Sequence, residues 1–387
     1  MTLFNWILIL SIHERNIYLL NGADTAMRVL SFWIIFLPLG RAYALDRLRQ
    51  PDLPKTSLAF PLRIIKLQFA LIYLFTAAVK SYGTLWLDGS AVYHALQLTS
   101  FTHATGDWVL VSAPYGILQV MTFFTLFIEV AFIVSVLVFI PVGQPYLRVI
   151  GLTMGALMHI GIGVLMAIPN FSLVMLIGYL LFFEGTWLVK IGRKLLPDRQ
   201  FEDTPTLAPA RPFNKHKIAV MLITASLLFT VISWNLFRMR PAGIPLSTPI
   251  SSLQYSILQV LGLRQNWDMF APEPSRMDGG LLEIGTLADG RVIELRTGQE
   301  NPTGLARFYF GAGARWKKYD ESVYQEWATG LMLARLEYRC REWHQPENPL
   351  IQVELIYRYR ETHTVDDPPN SYQDRLLWAT QCEAVTG

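Results

Sequence analysis

The chain has 387 residues, of which 52% are hydrophobic and only 16% charged, with a formal net charge of +3. A water-soluble protein carries about 25% charged residues, and here the apolar excess is gathered in blocks of about 20 residues, the length that crosses a bilayer. This excludes a soluble globular enzyme, and a charge so small and dispersed excludes a nucleic-acid-binding surface.

The first apolar run, 3–12, is about half a span. It has no basic segment before it and no small-residue cleavage site after it. It reads either as the tail of a helix that begins upstream or as a segment lying against the bundle. Six full spans follow, at 26–45, 63–80, 115–140, 147–168, 171–190 and 217–237. Pro38 falls inside the first and predicts a kink or an end there. Pro114 precedes the third as a helix-start signal. The expected fold is an all-α polytopic membrane bundle of about six full spans plus an N-terminal partial helix, followed by a small α+β extracytoplasmic domain. The bundle occupies 1–195, a proline-containing cytoplasmic linker 196–216, the last transmembrane helix 217–240 and the outer domain 241–387. In that domain, 251–263 is amphipathic and rests on the outer surface. The runs 281–287 and 291–295 flank Asp289-Gly290, a hairpin signal. A helix is expected from 322 to about 341. Ile351, Val353, Leu355, Tyr357 and Tyr359 alternate as a strand does.

Charge sets the orientation. The loops 41–63, 141–148 and 191–217 hold the Lys and Arg residues, whereas 13–25, 81–113 and 169–170 hold only Arg15. By the positive-inside rule the first set is cytoplasmic and the C-terminal domain lies outside, as in a bacterial inner-membrane protein. Segment 81–113 contains no Lys or Arg but many aromatic and His residues, among them Trp86, Tyr93, His94, His103 and Trp108. It is expected to fold back as a lid over the outer mouth of the bundle.

Ionisable groups inside spans are costly and therefore informative. Four stand out: Arg28, Lys80, Glu129 and His159. Each also has a plain structural reading. Arg28 follows Asp24 by four residues, a local pair with Asp24 as a helix N-cap. Lys80 is placed to snorkel to the headgroups. Glu129 is placed for an interhelical bond, and His159 to donate to a backbone carbonyl. If they converge, Lys80, His159 and Glu129 form a catalytic group, with Arg28, Trp86 and Tyr93 holding a cofactor. Asn266 to Pro272, NWDMFAP, is expected to plug apolar surface where the outer domain meets the membrane. The two cysteines, Cys340 and Cys382, both fall in the outer domain, where an oxidising compartment would join them.

Taken together, LLNGADTAMRVLSFWIIFLPLG…YALD (19–46), QFALIYLFTAAVKSYGTLWLDGSAVYHAL (68–96), Glu129, LMHIGIGVLMAIPNFSLVML (157–176) and NWDMFAP (266–272) resemble the HTTM (horizontally transferred transmembrane) family, related to vitamin K-dependent gamma-carboxylase. The resemblance implies a lysine at the outer end of a helix that deprotonates a reduced quinone, whose oxygenated anion then acts as a strong base. Lys80 is the matching position. The carboxylase has two adjacent lysines there, whereas this chain has Lys80 followed by Ser81. Three functional classes follow. One is a carboxylase-like or oxidase enzyme using a reduced quinone as cofactor. Another is a non-catalytic membrane protein that binds a lipid or peptide. The third is a membrane partner of a redox protein.

Overall fold

The computed structural model describes residues 1–37, 39, 59–137, 145–183, 185–195, 215–239, 251–305, 312–324, 328–343 and 347–382. Helix α1 (Thr2–Arg15) lies against α2 (Gly22–Ile34), where the Trp6 and Phe32 rings meet edge-on at 5.7 Å. Asn21, not Asp24, is the N-cap of α2. Its side chain accepts from Ala23 N, and Asp24 closes a reciprocal capping box from the third helical position. Long apolar helices follow: α3 (Ala59–Lys80), α7 (Tyr115–Leu137), α8 (Pro145–Leu165) and α11 (Lys215–Arg238). Among the described residues these four are long and apolar enough to cross a membrane.

The other two spans expected from the sequence take different forms. The predicted span 26–45 begins as α2, which has 13 residues, and 40–45 lie outside the described residues. The predicted span 171–190 is not one helix. It divides into α9 (Pro169–Tyr179), a 3-10 turn at Leu180–Phe182 and α10 (Gly185–Leu195). The break follows the point where the Phe69 ring lies against Gly178 and packs on Phe182, with ring centroids 5.6 Å apart. Phe69, Tyr73, Phe132, Tyr179 and Phe182 form one aromatic cluster in the bundle core. Such packing matters in lipid, where apolar helices gain little by merely leaving the acyl chains.

The lid connecting α3 to α7 consists of three short helices: α4 (Thr84–Leu87), α5 (Ala91–Leu96) and α6 (Ala104–Ser112). Its buried face is closed by Trp86, Ala91, Tyr93 and Leu96. After α11 comes the amphipathic α12 (Ser252–Val260), capped by Ser251 and Gln254 in a capping box.

The outer domain is a four-stranded antiparallel sheet of order β2-β1-β3-β4, formed by β1 (Met277–Leu287), β2 (Val292–Glu294), β3 (Leu350–Glu361) and β4 (Gln373–Gln381). The β1–β2 turn carries Gly290 at φ +87°, a conformation that Gly adopts without the penalty a Cβ would bring. The single helix expected over 322–341 is instead two, α13 (Ala312–Val323) and α14 (Thr329–Glu342). A disulfide joins Cys340 on α14 to Cys382 just beyond β4.

In the interior of this domain the fully buried Glu283 accepts from Arg335 Nε at 2.8 Å and from Arg339, with Arg296 3.7 Å away. Burial alone would raise its carboxyl pKa, but the three guanidinium groups outweigh it and hold the group below the usual range. Burial pushes neighbouring Asp320 up to about 6 against the pull of Arg296.

Several contacts dock the outer domain on the bundle. Arg315 of α13 forms a two-pronged ion pair with the buried Asp24, one arm at 2.7 Å. Gln97 of the lid exchanges two 2.9 Å hydrogen bonds with the His363 backbone. Asp278 accepts from Thr99 N at 2.7 Å. The sheet therefore lies on the same side as the start of α2, the end of α3 and the lid.

Candidate functional site

Lys80 is the last residue of α3, and its ammonium has not reached solvent. Nζ lies 2.6 Å from Glu129 Oε1 and 4.2 Å from the centre of the Trp86 ring. Lys80 and Glu129 are each 5% exposed. The snorkelling alternative is therefore not what the structure shows. Glu129 lies four turns into α7, roughly 21 Å along the axis from Tyr115. The ion pair is thus within the thickness of the bundle, beneath the lid.

The pair borders a chamber of about 280 Å³ enclosed mainly by α3, α7, α8, α9 and the lid. Its walls are predominantly apolar, including Ile72, Leu96, Ile162 and five methionines: Met121, Met158, Met166, Met175 and Met269. His159 lies on the same wall. Its Nε2 is 2.7 Å from Tyr73 Oη, which is 2.6 Å from Tyr179 Oη. This chain fixes the imidazole from one side. His159 Nδ1 and Glu129 Oε2 are both buried, and neither has a hydrogen-bond partner among the described residues. Unpaired buried polar atoms cost about 1–3 kcal/mol each, so two beside one chamber indicate that something else satisfies them.

The NWDMFAP segment forms the ceiling. Met269 and Phe270 line the chamber, and the Phe270 carbonyl accepts from Trp86 Nε1 at 2.7 Å. Gly83 makes this approach feasible: a Cβ there would stand 1.8 Å from the Pro272 carbonyl oxygen. Glu273 then accepts from Thr84 N at 2.6 Å and caps the first turn of α4. On the other side of Met269 and Phe270 is a second hollow lined by Phe101, Asn170, Lys317 and Glu321. Lys317 reaches over the Phe101 ring, and burial lowers its pKa to about 7 despite Glu321 nearby.

The structure brings Lys80, Glu129, His159 and Trp86 together around the chamber. It does not bring Arg28 or Tyr93 there. Arg28 donates to the Gly262 carbonyl at 2.8 Å and the Arg264 carbonyl at 2.9 Å, stitching α2 to the turn after α12. The expected local pair with Asp24 gives way because Asp24 is taken by Arg315. Tyr93 lies 3.3 Å from His363 Nδ1, in the seam between lid and outer domain. His94 joins the same seam, with Nδ1 2.8 Å from Thr362 Oγ1. His13 stands apart, 3.7 Å from Asp24.

Sequence reasoning missed Tyr73 and Tyr179; the available signal was a phenol inside an apolar span, which needs a partner when buried. It also missed Gln68, which is buried in α3 and binds Gln265 Oε1 at 2.8 Å and the Trp33 indole at 3.2 Å.

The four long apolar helices define an integral membrane protein. Residues 18–187, somewhat less than half of the chain, match the model of the HTTM domain. Every chamber residue named above except Met269 and Phe270 falls inside the match. Comparisons with curated proteins and with solved structures gave no match.

Proposed function

We propose that the chamber binds a membrane-soluble amphiphile with a hydroxylated, quinol-type head and that the Lys80–Glu129 pair receives the head. The observation that carries this reading is a buried ion pair with one unsatisfied carboxylate oxygen beside an otherwise apolar chamber. A hydroxyl of the head would donate to Glu129 Oε2, a second oxygen would meet His159 Nδ1, and the hydrocarbon would lie among the methionines. The pair is neutral overall whether the shared proton sits on nitrogen or on oxygen. When it takes up a hydroxyl proton it becomes a cation beside the quinol anion left behind, so the charges that form in the dry site are opposite and adjacent, the arrangement in which buried charge costs least. That is the chemistry a quinol-dependent oxidase or carboxylase requires of a base, and the HTTM resemblance favours it. Binding without turnover, as in a lipid-binding accessory protein, uses the same chamber.

The sheet domain docks at the Lys80 end of α3, whereas Arg63, Arg148, Lys194 and Lys215 lie near the opposite ends of α3, α8, α10 and α11. The positive-inside rule then supports an outer location for it and an inner-membrane setting for the chain.

The test is titration of the protein in lipid nanodiscs with a long-chain reduced naphthoquinone under argon. We expect one molecule bound per chain and affinity at least tenfold weaker in Lys80→Met and Glu129→Gln. Unchanged affinity in both variants would overturn the assignment. Admitting oxygen separates the two classes: uptake that depends on Lys80 marks an enzyme, and none marks a binding protein.

A further inference from the structure

Two chamber residues are also part of the outer surface of the bundle. Leu157 on α8 and Phe124 on α7 line the cavity, yet are 57% and 37% exposed, and both lie within helices long enough to span the bilayer. One turn from Leu157, Gly161 also lines the chamber, and a Cβ built there would meet no atom within 4 Å. Between α7 and α8 the chamber wall and the lipid-facing surface are therefore the same residues. The aqueous side is different. Trp86, Leu96 and Met166 are buried, and the Trp86–Phe270 hydrogen bond holds the ceiling across them.

We infer that the chamber is reached sideways, from the acyl chains, through a gap between α7 and α8 framed by Phe124, Leu157 and Gly161. This rests on the chamber being a binding site and deepens that reading by naming the ligand's source. The ligand is dissolved in the bilayer and uncharged when it enters, because an unpaired ion in hydrocarbon is prohibitively costly. It keeps an apolar tail that can trail out between the helices while its head lies beside Lys80 and Glu129. Water-borne peptides and organic anions are excluded as chamber ligands.

The route can be tested without the natural ligand. Among the described residues no cysteine is free, so Ile72→Cys places a single reactive thiol on the buried chamber wall. In proteoliposomes, N-phenylmaleimide partitioned into the lipid should label this thiol, and a charged methanethiosulfonate in the water should label it at least tenfold more slowly. Adding Gly161→Trp should slow the maleimide at least tenfold, whereas Leu157→Ala should speed it. Asn170→Trp, in the water-side hollow, should leave the rate unchanged. Equal labelling by the charged reagent would overturn the inference, as would a maleimide rate indifferent to both portal variants. Leu157→Ala keeps the test decisive if the tryptophan variant fails to fold. Labelling that follows the expected pattern in a protein that binds no quinol would retain the route and remove the quinol assignment. Quinol binding with indifferent labelling would do the reverse.

Discussion

Lys80 and Glu129 hold each other in place under conditions that neither could bear alone. Two opposite charges removed from water repay their desolvation only when both are present and close, and removing one partner leaves a bare ion at a cost of about 3–5 kcal/mol. Lys80→Met should therefore destabilise the detergent-solubilised protein by about that amount, and Glu129→Gln by a similar amount. The double substitution should recover most of the loss, because an apolar pair suits this wall. Unfolding midpoints of the four proteins check this; strictly additive losses would show that the pair is not energetically coupled. The cost of these residues was legible in the sequence, since an ionisable group within an apolar run advertises itself. Their pairing was not, because 49 positions separate them and nothing in one sequence states a distance between helices. Arg28 was just as conspicuous, yet it turns out to tie down backbone carbonyls. Conspicuousness marks expense and leaves the purpose of the expense open.

At the scale of elements, α13 rests on the lid through Lys317, whose largely buried side chain lies over Phe101 at the edge of the second hollow. Its pKa in the folded state, about 7, is below the roughly 10.4 expected of an unfolded chain. Between these values the unfolded state binds more protons, so stability rises with pH. From pH 7 to 9 the stability of the wild type relative to Lys317→Met should increase by about 2 kcal/mol. Melting temperatures of the two proteins across that range check this, with Glu321, Lys318 and the other titrating groups common to both. A difference that is flat with pH would show that the amine titrates normally. The four long helices were legible as elements because 20 apolar residues in a row have few other uses. The break after Tyr179 was not, since it begins among apolar residues, Leu180 to Phe183, and the Glu184-Gly185 that follows went unread inside the apolar run. Strand β4 was also hidden, because it is largely exposed and so lacks the alternation that revealed β3.

The whole molecule is two bodies joined through a seam. The bundle holds the chamber, and the sheet grips the lid that covers it through Gln97, His94 and Thr99. The sheet's far end is closed by the Cys340–Cys382 bond, 42 residues apart in sequence. A loop of that length confers about 4 kcal/mol by restricting the unfolded chain. Reduction, or Cys340→Ala with Cys382→Ala, should lower the stability of the outer domain by about 4 kcal/mol while leaving the helical signal of the bundle intact. Circular dichroism of the oxidised and reduced protein, with mass spectrometry to confirm the bond, checks this. Bundle and domain were separable from composition alone. The grip between them was not, because it consists of single amide and imidazole contacts scattered over loops.

One consequence concerns the five thioethers around the chamber. Methionine is unbranched and readily reshaped, so its walls can yield to heads and tails of more than one shape. Sulfur is also easily oxidised, and a sulfoxide turns an oily surface polar. A cell that let reactive oxygen accumulate inside this chamber would wet it from within. A ligand that brought oxygen chemistry into the chamber would then shorten the working life of its own container.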